Sequence, residues 1–186
     1  MTPVAEDAAR RWLGEHRDGA AVDEALAFYD GLPAVALGDM IGRWRGSGLP
    51  TGSPLDGLLE AYGWYGKEFL DADTVHPLLF RDRTGAPRPV DPALLPMSVL
   101  RGYPRLAHSP VLRRVWPGVR PLLYTDKPKA RLRAMDHRGV RTAAMVYDGL
   151  PIIDAFRHVG PDLVLGLMDL RGLPTPFFFL LERERS

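Results

Sequence analysis

The 186-residue chain contains no cysteine. That absence excludes a disulfide framework, a thiolate nucleophile, an iron–sulfur cluster and a cysteine-ligated zinc site. Charge of one sign is also lacking: 24 lysine and arginine stand against 23 aspartate and glutamate, a net charge of +1. Such a balance leaves no whole-molecule field to recruit nucleic acid or anionic lipid. No apolar run approaches the roughly 18 residues of a membrane-spanning helix. The opening segment MTPVAEDAARRWLGEHR has acidic residues early and no apolar stretch, so it does not read as a secretory signal, and a cytoplasmic location is expected. Serine is scarce and G-x-S-x-G is missing, which disfavours a serine hydrolase. G-x-G-x-x-G, the P-loop pattern and H-E-x-x-H are missing as well, which disfavours a nucleotide fold and metal-dependent hydrolysis.

The chain is rich in 19 glycines and 18 prolines, together about a fifth of its residues, within otherwise average contents of 46% hydrophobic and 25% charged residues. The length suits one domain, and the composition calls for many turns. Apolar residues recur at helical spacing over 5–17 (Ala8, Ala9, Trp12, Leu13) and over 22–29 (Val22, Leu26, Tyr29), which predicts two short amphipathic helices. Arg43-Trp44-Arg45 starts an extended segment, Pro54 opens a further short helix ending near Gly63, and Trp64, Tyr65 and Phe69 suggest a strand. Residues 78–90 read as a strand and turn whose prolines push the return strand to an edge. Prolines chop residues 91–128, leaving one helix around Pro110 to Trp116. From 130 onwards, strands over 130–138, 140–147, 150–158, 163–169 and 176–183 form an antiparallel meander. The chain thus divides into N-terminal helices (5–41), a first part (about 25–85), a proline-rich insertion (87–128) and a meander (129–183), all within one domain.

One hairpin can be worked out by register. With Asp148-Gly149 as a two-residue turn, Tyr147 faces Leu150, Met145 faces Ile152, Ala143 faces Asp154 and Arg141 faces Phe156. Alternation then places Arg141, Ala143, Met145, Tyr147, Leu150, Ile152, Asp154, Phe156 and His158 on one side, with small apolar residues on the other. Phe177 to Leu181 is apolar on both faces, which implies a closed or covered sheet. Tyr-Asp-Gly-Leu-Pro occurs at both 29–33 and 147–151, and its Asp-Gly step reads as reused turn chemistry.

Gly42-Arg43-Trp44-Arg45-Gly46, with Gly63-Trp64-Tyr65-Gly66-Lys67 and Val75-His76-Pro77-Leu78-Leu79-Phe80, resembles the family named for the G-x-W-x-G motif, the GXWXG domain. Tyr147 to Asp154, Gly166-Leu167-Met168-Asp169 and Phe178-Phe179 resemble the DUF4334 domain that follows it in that family. A short helix leading to G-x-W on a first strand and then a meander is also similar to lipocalins and to nitrobindin-like haem barrels. The resemblance implies a mainly β fold, a lipocalin- or calycin-like antiparallel barrel with short N-terminal and inserted helices, in which a tryptophan plugs the closed end.

Three residues stand out for chemistry. Asp154 lies mid-strand between Ile153 and Ala155, where a carboxylate in an apolar cavity has a raised pKa and serves as a general acid. Its bland alternative is a salt bridge with diagonal Arg141. Lys67 sits in a glycine-flanked aromatic strand and suits a base, an imine former or an anion clamp, or else a surface lysine. His76 precedes an apolar run and suits acid/base work or haem ligation, or else a structural role. His158 shares the face of Asp154 but lies about 13 Å along the strand, too far for a dyad, and is the other candidate haem ligand. His16, His108 and His137 rank lower. Trp44, Trp64, Tyr65, Met145, Tyr147, Phe156, Met168, Phe177 and Phe179 are candidate lining residues for a flat or isoprenoid-like molecule, or core.

Two functional expectations follow. The first is a barrel that binds a small apolar organic molecule, with Asp154, Lys67 and His76 available for metal-independent acid/base isomerisation or cyclisation. The second is a haem-binding carrier or sensor with His76 or His158 as axial ligand. A filled structural module, with no cavity, is the third alternative. Neither expected role involves nucleic acid or a membrane span.

Overall fold

The computed structural model describes residues 2–95 and 109–185. Helices α1 (Pro3–Glu15) and α2 (Val22–Gly31) come first, and a one-turn helix α3 (Leu37–Met40) leads into strand β1 (Gly42–Leu49). The short helix α4 (Leu58–Ala61) precedes β2 (Trp64–Phe69), β3 (Val75–Arg81) and β4 (Pro87–Pro89). Helix α5 (Pro110–Val119) and a 3-10 turn (Arg120–Leu123) are followed by β5 (Ala130–His137), β6 (Val140–Tyr147), β7 (Ile152–Gly160), β8 (Leu163–Leu170) and β9 (Phe177–Arg183). The expected helices and the C-terminal meander are therefore present, with ends shifted by up to four residues, most at the helix expected from Pro54, which begins at Leu58. The proline-rich insertion is described outside 96–108 only, and His108 lies outside the described residues.

The nine strands form one antiparallel sheet in the order β2-β1-β9-β8-β7-β6-β5-β3-β4, and a further β2–β3 pairing brings its ends together. The result is an up-and-down barrel of eight strands with the three-residue β4 on β3 as an extra edge, as its prolines require. Closure is thinnest between β3 and β5, which share the single pair Val75↔Ala130.

The G-x-W-x-G segment has a direct steric meaning. Trp44 is fully buried in the barrel, its indole N–H donates to the Met40 carbonyl at 2.8 Å, and the Arg183 guanidinium lies 4.2 Å from its ring centroid. A Cβ at Gly46 would collide with the six-membered ring of Trp64, so glycine there lets that indole lie flat against β1. Gly66, at φ +148°, sits at a register shift between β2 and β3, and a Cβ on it would run into the Trp44 carbonyl. This bulge adds one residue between Trp64 and Lys67 and so turns both side chains inward, while Tyr65 between them faces out. There Tyr65 lies under the Arg81 guanidinium and donates to Glu184 at 2.6 Å.

Two cores result. One fills the barrel and includes Trp44, Trp64, Phe69, Phe156, Phe177 and Phe179. The other lies outside the wall, where Ala9 and Leu13 of α1 and Ala25 and Tyr29 of α2 cover Val159, Leu165, Leu167 and Phe178. Strands buried on both faces are thus explained by a filled interior and a helical cover.

The β6–β7 hairpin departs from the expected register. Ala144 pairs with Ala155, Met145 with Asp154 and Val146 with Ile153, two residues away from a two-residue turn. Pro151 has no N–H to give, and β7 lies between β6 and β8, so the strand begins after it and residues 148–151 form the connection. Because the shift is even, every side chain keeps its expected face. Beyond these three pairs the strands splay, and residues 33–35 fill the gap. Ala143 N–H donates to the Val35 carbonyl and His158 N–H to the Pro33 carbonyl, both at 2.9 Å. Thr142 completes the seam, its hydroxyl accepting from Val35 N–H and donating to the Phe156 carbonyl.

Candidate functional site

Asp154 points inward from β7 and is 0% exposed; Lys67 points inward from β2 and is 2% exposed. The two strands lie apart around the barrel, separated by β1, β9 and β8, and their side chains meet across the interior with Lys67 Nζ 2.8 Å from Asp154 Oδ2. Lys67 also donates to the Pro77 carbonyl at 3.1 Å and to the Tyr147 hydroxyl at 3.4 Å. Its ammonium stands 4.9 Å from the Phe179 ring centroid and 5.7 Å from those of Trp64 and Tyr147. A cation held among ring faces in a water-poor interior gains from their quadrupoles.

Asp154 is less well served. Lys67 approaches Oδ2 as an ion contact off the direction of a good hydrogen bond, and Oδ1 has no hydrogen-bond partner among the described residues. Burial pushes the Asp154 pKa up from 3.8, and the Lys67 charge opposes that rise without cancelling it. Burial, then the Asp154 charge, hold the Tyr147 phenol well above its ordinary value, so it remains a hydrogen-bond donor. The expected alternative partner for Asp154, Arg141, lies on the surface 3.7 Å from Asp136. Its distance follows from the corrected register and from the splay of β6.

These three polar groups line a cavity of about 70 Å³ whose other walls are apolar. Trp64, Tyr147, Met168, Phe177 and Phe179 border it, as expected. Trp44, Tyr65, Met145 and Phe156 do not: Trp44, Met145 and Phe156 are packed in the barrel core, and Tyr65 faces outward because of the Gly66 bulge. The aliphatic half of the lining was not anticipated. Leu55, Leu58 and Leu59 come from α4 and the turn before it, and Pro92 and Leu95 come from the proline-rich insertion. Leu55, Leu58 and Leu59 carry the i, i+3, i+4 spacing of a helix, but that spacing does not say which wall the helix covers, and only the fold brings it over the cavity.

No histidine among the described residues lines the cavity. His76 is buried and pairs across from Glu68, whose side chain faces out to Arg43. Its Nδ1 has no partner among the described residues. His158 sits at the rim, 3.2 Å from Asp39. Neither is where an axial ligand to a group in this cavity would have to be. Among the described residues no group of three or more acidic or histidine side chains could hold a metal ion.

Together these features define a class: an antiparallel barrel whose apolar interior holds a lysine, an aspartate and a tyrosine beside a small void. Residues 27–85 match the GXWXG protein model and residues 128–183 match the DUF4334 domain of unknown function. The chain belongs to this GXWXG/DUF4334 family. A crystal structure of a protein from Thermomonospora curvata is 33% identical to it and superposes with a TM-score of 0.70, over 96% of this chain and 99% of that one. No curated protein matches.

Proposed function

We propose that the barrel binds a compact, largely apolar organic molecule and isomerises it by proton transfer at Asp154. The observation that carries this is the carboxylate itself, fully buried in an apolar cavity with Oδ1 free and a cation beside it. Apolar residues of the same volume would serve stability as well as a buried ion pair or better, so stability does not account for its presence. Perturbed carboxylates in cavities are the groups that acid/base catalysis uses.

A small carbonyl compound fits the arrangement. Asp154 takes the proton from the carbon next to the carbonyl, and its raised pKa makes it the stronger base. Lys67 and Tyr147 donate hydrogen bonds to the oxygen as its negative charge develops. Asp154 then returns the same proton to a different carbon, so a double bond migrates and no atom is gained or lost. The cavity volume of about 70 Å³ favours a ligand well below drug size.

Small cyclic β,γ-unsaturated ketones test both parts, because their conversion to the conjugated isomer is visible by absorbance. Turnover that falls about 100-fold or more in Asp154→Asn is the expected result. Equal rates in the wild type and Asp154→Asn would refute the catalysis. Ligand-induced shifts of the Met168 methyl resonance report binding separately, and their absence across the ketones would refute the binding.

A further inference from the structure

We infer that α5 and the turn after it form a docking surface for an anionic lipid bilayer. Among the described residues, helices α1 to α4 each bury at least one side chain, whereas α5 has no buried residue. Its apolar side chains are exposed: Val111 by 69%, Val115 by 49% and Val119 by 44%, and Leu122 in the following turn by 79%. Val111, Val115 and Val119 follow one another at spacings of four, on one side of the helix. Trp116 lies about 100° around the helix from the middle of that row and anchors the helix to the barrel, donating to the Tyr62 carbonyl at 2.8 Å and packing edge-on against Tyr62 and Phe80. The anchor leaves the apolar row exposed.

Charge selects the occupant. Residues 92–135 contain nine lysines and arginines and one aspartate, against 15 and 22 over the rest of the chain. The near-zero net charge conceals a basic stretch centred on α5. Lys129, Arg131 and Arg133 are neutralised by Asp91, Asp148 and Asp73. Arg113, Arg114 and Lys127 are exposed and have no carboxylate within ion-pair distance among the described residues. An apolar helical row flanked by free cations matches an interface whose headgroups are negative and whose acyl chains lie just beneath. The turn after α5 pairs with the segment just before Pro92, a residue of the cavity lining: Asp91 N–H donates to the Leu123 carbonyl at 2.9 Å. The docking itself does not depend on the catalytic reading.

Flotation of the full chain with vesicles tests it. Binding to phosphatidylcholine mixed with phosphatidylglycerol, weak binding to phosphatidylcholine alone, and loss of binding as salt rises are expected. Arg113→Gln with Arg114→Gln should weaken binding about 25-fold, roughly fivefold for each charge. Val115→Asp with Leu122→Asp should abolish it. These residues are exposed, and unchanged thermal unfolding verifies that each variant folds. No binding to the anionic vesicles, or binding that survives both pairs of substitutions, overturns the inference. So does concentration-dependent self-association that the Val115→Asp and Leu122→Asp pair removes while wild-type vesicle binding is absent, because the face is then an interface between copies of the chain.

Discussion

Strand β7 carries two fully buried charges three residues apart and on opposite faces. Asp154 points into the barrel, meets Lys67 at 2.8 Å and borders a cavity. Arg157 points outward beneath the N-terminal helices and meets no carboxylate among the described residues. It donates one hydrogen bond to the His137 carbonyl at 3.1 Å and lies 5.1 Å from the centroid of the Tyr29 ring, while Nε and Nη1 have no partner. The interior pair is two charges that need each other; the exterior one is a cation held by a ring face and a carbonyl. The comparison teaches that burial of charge alone does not mark a site. What distinguishes Asp154 is an opposed partner together with open space.

The same substitution at the two cations breaks the comparison most sharply. Lys67→Met leaves Asp154 buried without its counter-charge and should destabilise the protein by about 3–5 kcal/mol in urea unfolding. Arg157→Met keeps the apolar stem over Tyr29 and removes two unpartnered donors, so it should stabilise by about 1–2 kcal/mol. Opposite signs from one kind of replacement would establish the difference, and equal losses would erase it.

Dependence on pH sharpens it further. Only between its ordinary pKa of 3.8 and its raised native value does the native state keep on Asp154 a proton that the unfolded chain has already released. Stability should therefore fall as pH rises from the ordinary value through the raised native one, and Asp154→Asn should flatten this slope. The smallest effect is expected on the exterior side. Burial, and then the Arg157 charge, hold His137 below its ordinary 6.5. The unfolded chain takes up a proton there first, so stability should fall as pH drops below 6.5, a loss that His137→Gln removes. Urea titrations across pH, with both variants, separate the two slopes.

Much of the fold was legible because strands and turns announce themselves locally. Five C-terminal strands follow from alternation and turn residues, and the inward face of Asp154 follows from counting by twos even with the register off by two. The partner of Asp154 was not legible. Lys67 is 87 positions away on a strand that does not neighbour β7 in the sheet, and only closure of the barrel makes them face each other. Lys67 was recognisable as unusual, from its glycine-flanked aromatic strand, without its purpose being readable. Tyr65 misled for a local reason: the extra residue at Gly66 breaks simple alternation, and no composition signal marks a bulge. His76 is buried without lining the cavity, because it shares the outward face of β3 and β2 with Glu68.

The seam made by residues 33–35 also bears on how the protein is made. Ala34 bridges Arg157, and the gap it fills does not exist until β6 and β7 have both been synthesised. At translation rates of about 5–20 residues per second, the N-terminal helices spend on the order of ten seconds without the wall they cover. The apolar faces of α1 and α2 are bare throughout that interval, which makes the nascent chain, rather than the finished barrel, the stage at which this fold is most exposed to chaperones and to aggregation.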